Sequence, residues 1–407
     1  MKYKKKVVLS IFIILISFLQ NSCGSKRISK KIIVASSGKI ESLDPARANT
    51  LKAIQLISSL GDTLYELNSN GELIPELASG MPIISKDRLQ ITINLRKNVF
   101  FHDGTAFNSN AIKFTFDRFK RIGTMNYILG NKIKSIETPS EYSVIINLNK
   151  PSSSLNGLLT SVNLTPISPT FYKQYSDKFL NEKFVGTGKY VLTSFSNEVQ
   201  SIDPYLNYWG EKPLNKGVNF VGYSNSSSLF GALKSKQIDV LLSNSIDDSQ
   251  RKSLNNLSKN KQFNEGNSPF TELSFISLKT SSYPLSNLNL RLALAKSLNR
   301  KLISEKVSYG LRKPSRSIIP PILKKDNQEL WPKYDYLEAR RLLQKENYCN
   351  GNILKIPLTY RSNVPADKLI ALTWQEEIKN SLKDCIDIEL NGVESTTIYK
   401  NLSLGIY

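Results

Sequence analysis

Residues 91–119 read ITINLRKNVFFHDGTAFNSNAIKFTFDRF, and the hydrophobic period changes partway along them. From Leu89 to Arg96 apolar and polar residues alternate without a fault. Leu89, Ile91, Ile93 and Leu95 fall on one side, and Gln90, Thr92, Asn94 and Arg96 on the other. Side chains of a strand alternate between its faces, so this predicts a half-buried strand. Phe101-His102-Asp103-Gly104 then reads as a tight turn. Beyond it Ile112, Phe116 and Phe119 recur at helical spacing, predicting a helix capped by Asn108 or Ser109. Tyr142, Val144, Ile146 and Leu148 repeat the strand pattern. A strand, helix and strand in succession make this an α/β chain.

Working outward, Ile32-Ile33-Val34-Ala35 predicts a short buried strand ended by Ser36-Ser37-Gly38, and Ile54 and Ile57 mark a helix over 51–60. A helix around Leu229, Phe230 and Leu233 precedes the strand Ile238–Leu242. Leu290, Leu294, Leu298 and Leu302 form an apolar stripe at four-residue spacing. Asp335 with Glu338 reads as a capping box, before a helix burying Ala339, Leu342 and Leu343. A strand at 353–360, a helix at 366–383 and a strand at 386–390 form a βαβ unit with parallel strands.

The N-terminus sets the compartment. Lys2, Lys4, Lys5 and Lys6 precede the apolar run Val7 to Leu19, which is short for a bilayer span and suits a signal peptide. Ser22-Cys23-Gly24 follows and resembles a lipoprotein cleavage site with Cys23 as the lipidated residue, although Gln20 stands where an apolar residue is usual. Residues 24–31, GSKRISKK, read as a polar tether. The chain has 407 residues and a formal charge of +21. Its longest basic run, Lys4-Lys5-Lys6, belongs to the leader and the rest of the excess is scattered. The charge suits an anionic envelope surface, and no nucleic acid is expected as a partner.

Several segments, in order, resemble the peptide/nickel-type (family 5) extracellular solute-binding proteins, the receptors of ABC importers. They are Leu43-Asp44-Pro45, Leu73 to Ala78, the quoted stretch, Val185-Gly186-Thr187-Gly188-Lys189-Tyr190, Tyr208-Trp209, Ala232-Leu233 with Ile238-Asp239-Val240, Asn289 to Arg300, and Tyr334-Asp335 with Ala339 and Leu342-Leu343. Three positions depart from the pattern: Lys189 replaces Pro, Lys236 replaces Gly, and Ser277-Leu278-Lys279 stands where "LNT" is common.

The resemblance implies a two-lobed periplasmic-binding-protein-like fold (class II) with an extra subdomain in the first lobe. The expected division is signal peptide 1–22, tether 23–31, lobe I from 32–48 and 180–278, its inserted subdomain 49–179, and lobe II from 279 to 407. Such receptors return to the first lobe near their end, so the second lobe is expected to be incomplete here and its C-terminal part missing. The implied function is capture of oligopeptides or dipeptides by lobe closure, for delivery to a permease and ATPase complex. The same class also serves sugar oligomers and nickel or other metal chelates. A monomer anchored through Cys23 at the periplasmic or outer cell surface is expected.

Catalysis finds no support. His102 is the only histidine and falls in a turn, so a Ser-His-Asp hydrolase would depend on that residue. Gly186-x-Gly188 lacks dinucleotide-fingerprint spacing. The cysteines at 23, 349 and 385 lack metal-ligand spacing. No cofactor and no metal is expected. If the strands at 353–360 and 386–390 are parallel neighbours, Cys349 and Cys385 share one sheet end, where they are either bonded or two free thiols. As the resemblance has it, a peptide receptor needs a cation for the solute's carboxylate. Arg361, after the strand at 353–360, is the candidate. Ser37 and Asp44 after the first strand, and Phe275 and Ser277 near the lobe crossover, are weaker cleft candidates.

Overall fold

The computed structural model describes residues 31–126, 132–152, 155–242, 245–266, 273–315, 317–319 and 329–406. The expected signal peptide, the anchor Cys23 and the tether up to residue 30 lie outside these residues.

Strand β1 (Ile32–Ser37) leads into helix α1 (Leu51–Leu60), which Thr50 caps by accepting from the Ala53 amide. The buried face of α1 is Ala53, Leu56, Ile57 and Leu60, with Lys52 beside them; Ile54, expected inside, is only half-buried. Then follow β2 (Tyr65–Leu67), β3 (Leu73–Pro75), β4 (Ile83–Ile84), β5 (Gln90–Asn94), α2 (Ser109–Ile122), β6 (Ile133–Ser140) and β7 (Ser143–Leu148). Strands β4-β5-β7-β6 form an antiparallel sheet, with Ile91 opposite Ile146 and Ile93 opposite Val144. These four, with Ile112, Phe116 and Phe119 of α2, are all buried in one core. Alternation on the strands and helical spacing on α2 meet there. The two cap candidates divide the work: Asn108 accepts from the Asn110 amide, while the Ser109 hydroxyl donates to the Ser140 carbonyl.

Short helices α3 (Leu155–Leu158) and α4 (Pro169–Tyr172) lead back to β8 (Tyr190–Phe195), β9 (Val199–Pro204), β10 (Val218–Tyr223), α5 (Ser226–Lys234), β11 (Val240–Leu241) and α6 (Asp248–Lys259). The second sheet has the order β11-β1-β10-β9-β8, with β1 parallel to both β10 and β11. Strand β1 is apolar from Ile32 to Ala35 because both of its faces are covered there. Ile32 and Val34 pack with α1 and Phe220, and Ile33 and Ala35 pack with Leu229, Ala232 and Leu233 of α5. Helix α1, Ile167 and Tyr172 belong to this sheet's core. Both ends of the segment 49–179, expected as an inserted subdomain, thus pack into the lobe I core.

The last part comprises α7 (Leu288–Ser297), α8 (Arg300–Ser308), α9 (Tyr336–Lys345), β12 (Leu354–Arg361), α10 (Pro365–Ser381), β13 (Ile386–Val393) and α11 (Ser395–Ser403). The leucine stripe from 290 to 302 does not run along one helix. Leu298 is extended, with φ −88° and ψ 102°, and Asn299 caps α8 by accepting from the Leu302 amide. Strands β12 and β13 are parallel, Leu354 opposite Ile386, and Trp374 and Ile378 of α10 fill the core beneath them. Cys349 and Cys385 form a disulfide at the start of this pair, 36 residues apart.

Candidate binding cleft

The three parallel strands β10, β1 and β11 end along one edge. In open α/β sheets the carboxyl edge is where ligands bind, because loops and helix N-termini converge there. Ser37, half-buried and opposite Tyr223, closes β1 on that edge. Gly38 follows at φ +80°, its amide donating to the Tyr223 carbonyl and its carbonyl accepting from Lys52 Nζ at 3.0 Å. Gly222 lies alongside, where a Cβ would fall 3.0 Å from Lys52 Nζ and 2.8 Å from the Gly38 oxygen. Lys52 is 7% exposed, and burial lowers its pKa to about 8.

Asp44, expected as a cleft contact, serves as a structural pin. It is fully buried. Arg118 on α2 grips it from two sides, Nη1 to Oδ1 at 2.5 Å and Nη2 to Oδ2 at 2.7 Å. Arg47 Nε donates to Oδ2 and the Ala46 amide to Oδ1. Both oxygens are engaged from within the chain, so this carboxylate has no acceptor site left to offer a solute. Arg118 also bonds Asp177 and lies over the Tyr172 ring. Burial pulls the guanidinium's pKa down, but Asp44 and Asp177 together hold it above its ordinary value.

The 186–188 loop joins α1 to the quoted stretch. The Gly188 amide donates to the Leu60 carbonyl; a Cβ on Gly188 would sit 2.4 Å from the Leu60 carbonyl carbon, so this close approach requires glycine. His102 occupies its expected turn. Its amide bonds the Gly186 carbonyl, Nε2 lies 3.0 Å from the Gly188 oxygen, and its ring meets Tyr205 edge-on. Burial lowers its pKa. Thr187 donates to the buried Asp62, which also accepts from Tyr208 and Trp209. Desolvation raises the Asp62 pKa to about 6, against the pull of these donors and of Lys189. Glu76 is pushed up by burial and by its acidic neighbours Asp62 and Glu66.

These shifts set a pH dependence. Both folded pKa values lie above the ordinary carboxylate range near pH 4. Their contribution is therefore fully present below about pH 4 and is lost as pH rises through the folded values. For Asp62 the loss is on the order of 2–3 kcal/mol. Glu76→Gln is expected to match the wild type near pH 4 and to melt several degrees higher at pH 8. Thermal melts across that range check this, and a difference that does not grow with pH would refute it.

Of the remaining expected contacts, Arg361 ends β12 and is clamped by Asp367 of α10, Nε to Oδ2 at 2.6 Å and Nη2 to Oδ1 at 3.1 Å. This pairing raises its pKa. Phe275, 64% exposed, and the exposed Ser277 lie on the segment 273–279, which has no regular secondary structure. A shallow groove of about 510 Å3 beside the His102 turn is lined by Phe100, Tyr205, Leu206 and Tyr208; none of the expected contacts lines it. The structure thus brings only Ser37 to the carboxyl edge with Lys52. Arg361 lies in a different sheet. Lys52 escaped the sequence reading, although a lysine four residues before Leu56 and eight before Leu60 is a charge on an apolar helix face.

The model for bacterial extracellular solute-binding proteins, family 5, matches residues 72–406. The chain belongs to this family. It is a solute-binding protein of the class that serves ABC importers. Among curated proteins, the glutathione-binding protein GsiB of Escherichia coli O6:K15:H31 is 26% identical over 360 residues, covering 87% of this chain and 69% of GsiB. Among solved structures, AgaA of A. tumefacien R10, in complex with agropinic acid, superposes with TM-score 0.77 at 23% identity, covering 93% of this chain and 76% of AgaA. Helicobacter pylori DppA, in complex with the peptide STSA, gives TM-score 0.75 at 22% identity, with 93% and 76% covered. These neighbours share the two-lobed α/β fold.

Proposed function

We propose that this chain is the exported, lipid-anchored receptor of an ABC importer, which captures a peptide or a similar small solute between its lobes and hands it to the permease. The observation that carries the reading is the common carboxyl edge of β10, β1 and β11, in a chain whose family binds solutes. GsiB and DppA, named for glutathione and crystallised with a peptide, favour peptide-like solutes. Cys23 is the proposed anchor, the periplasmic or outer face of the membrane the site of action, and a monomer the working unit. Ser37, Phe275 and Ser277 are retained as proposed solute contacts, and Arg361 as one that must share its guanidinium with Asp367. The task is binding rather than catalysis: His102 is held by backbone and ring contacts in its turn.

A thermal-shift screen tests the reading. Di- to pentapeptides and glutathione are expected to stabilise the protein, by about 2.7 kcal/mol at a hundred times Kd. Stabilisation by sugars or nickel chelates alone would overturn the choice of solute. Labelled palmitate should enter the wild type in cells and not Cys23→Ala; equal labelling would remove the anchor.

A further inference from the structure

Five charged side chains are buried among the described residues: Asp44, Lys52, Asp62, Arg118 and Asp248. Four of them are compensated. Asp44 and Arg118 neutralise each other, Asp248 pairs with Arg312 at 2.8 Å, and Asp62 accepts three hydrogen bonds with Lys189 nearby. Lys52 has a single neutral partner, the Gly38 carbonyl, and nothing but desolvation perturbs it. A buried ammonium without a counter-charge is costly. Its place in the first turn of α1 adds to the cost, since the positive end of the helix dipole disfavours a cation. Neither the core nor the helix explains a lysine here. Its position does: the ammonium lies at the carboxyl edge of β1 and β10, against Gly222, where a Cβ would crowd it at 3.0 Å, and beside the exposed Gly38, where a Cβ would meet nothing within 4 Å.

We propose that Lys52 is the subsite for a carboxylate of the captured solute, with Gly38 and Gly222 forming its floor. The proposal rests on the reading of the chain as a solute receptor and names the chemical class it selects, anionic over neutral solutes. An ammonium has three N–H donors, and the Gly38 carbonyl takes one; a carboxylate supplies both the missing charge and acceptors for the others. With a pKa near 8 the group is still mainly a cation at neutral pH.

The experiment is calorimetric titration of wild type and Lys52→Met with tri-alanine, tri-alanine amide and Ala-Glu-Ala amide, alongside thermal melts of both proteins. Wild type should prefer a carboxylate-bearing probe to tri-alanine amide. Lys52→Met should lose roughly 10- to 100-fold for that probe and nothing for tri-alanine amide, while melting at the same or a higher temperature. Loss confined to tri-alanine identifies the terminal carboxylate, and loss confined to Ala-Glu-Ala amide identifies a side-chain one. Unchanged affinity of Lys52→Met for both acids overturns the proposal while leaving the receptor reading intact. If wild type binds none of the probes and is stabilised by no peptide, the peptide-receptor reading falls and takes the subsite with it.

Discussion

Arg118→Met should destabilise the first lobe by about 3–5 kcal/mol, the loss expected when one partner is removed from a buried ion pair. Asp44 is fully buried and Arg118 only 4% exposed, so water cannot replace the missing guanidinium. The residual bonds from Arg47 and the Ala46 amide leave Asp44 some solvation, which places the loss toward the lower end of that range. Arg118→Lys should recover little, because an ammonium cannot reproduce the two parallel N–H bonds to both carboxylate oxygens. Asp44→Asn should be harmful for the mirror reason. The double variant Asp44→Asn/Arg118→Met should cost less than the sum of the two, since no lone charge remains. Urea unfolding followed by hydrogen exchange in α2 and around residues 40–48 measures all four. A loss under 1 kcal/mol for Arg118→Met would show the pair to be solvated and dispensable.

That pair also shows where sequence reading stops. Leu43-Asp44-Pro45 and the helix carrying Arg118 were both legible, one as a segment of the family resemblance and the other as an amphipathic stripe, because each is a local pattern. Their partnership spans 74 residues and leaves no mark in either pattern. The same holds for Gly188: the motif was visible, but its cause is a close approach to Leu60 from a different element. Strand β5 was legible because one face of its sheet is wet and the other dry. Strand β1 was legible as a buried run for the opposite reason, both of its faces being covered. Helix α1 packs with Ile202, Val218 and Phe220 of the second sheet, which its sequence could not tell, since its apolar stripe says that it packs and not against what. The break at Leu298 was hidden because leucine suits either conformation; the signal lay in Asn299, a capping residue in the middle of an apolar stripe. At the carboxyl edge, the position of Ser37 followed from the end of its strand. Lys52 was passed over because lysine on a helix is ordinarily solvated, and only its burial makes it informative.

The second large effect belongs to the other half of the molecule. Replacing Cys349 and Cys385 by alanine should lower the stability of the β12–β13 unit by about 4 kcal/mol, the chain-entropy value for closing a 36-residue step. The closed loop contains β12 and α10, and the bridge joins the two parallel strands at the end where both begin. Leu354 donates to the Cys385 carbonyl just before the two strands run together, so the cross-link fixes the register from which the remaining rungs follow. Two strands make a small parallel sheet, and a small sheet has few other interactions to hold its register. Both cysteines are buried, at 6% and 0% exposed, so a reductant should act slowly on the folded protein and quickly once urea opens this unit. In a Cys23→Ser background the unreduced protein should show no free thiol and the reduced, unfolded protein two. Hydrogen exchange should accelerate in β12, α10 and β13 of the alanine variant and stay unchanged in β5 and β7, whose core is separate. Equal acceleration in both regions would mean that the chain unfolds as one cooperative unit. Two reactive thiols in the unreduced, denatured protein would mean that the bond does not form, and the parallel pair would then rest on packing of Trp374, Ile378 and the strand residues alone.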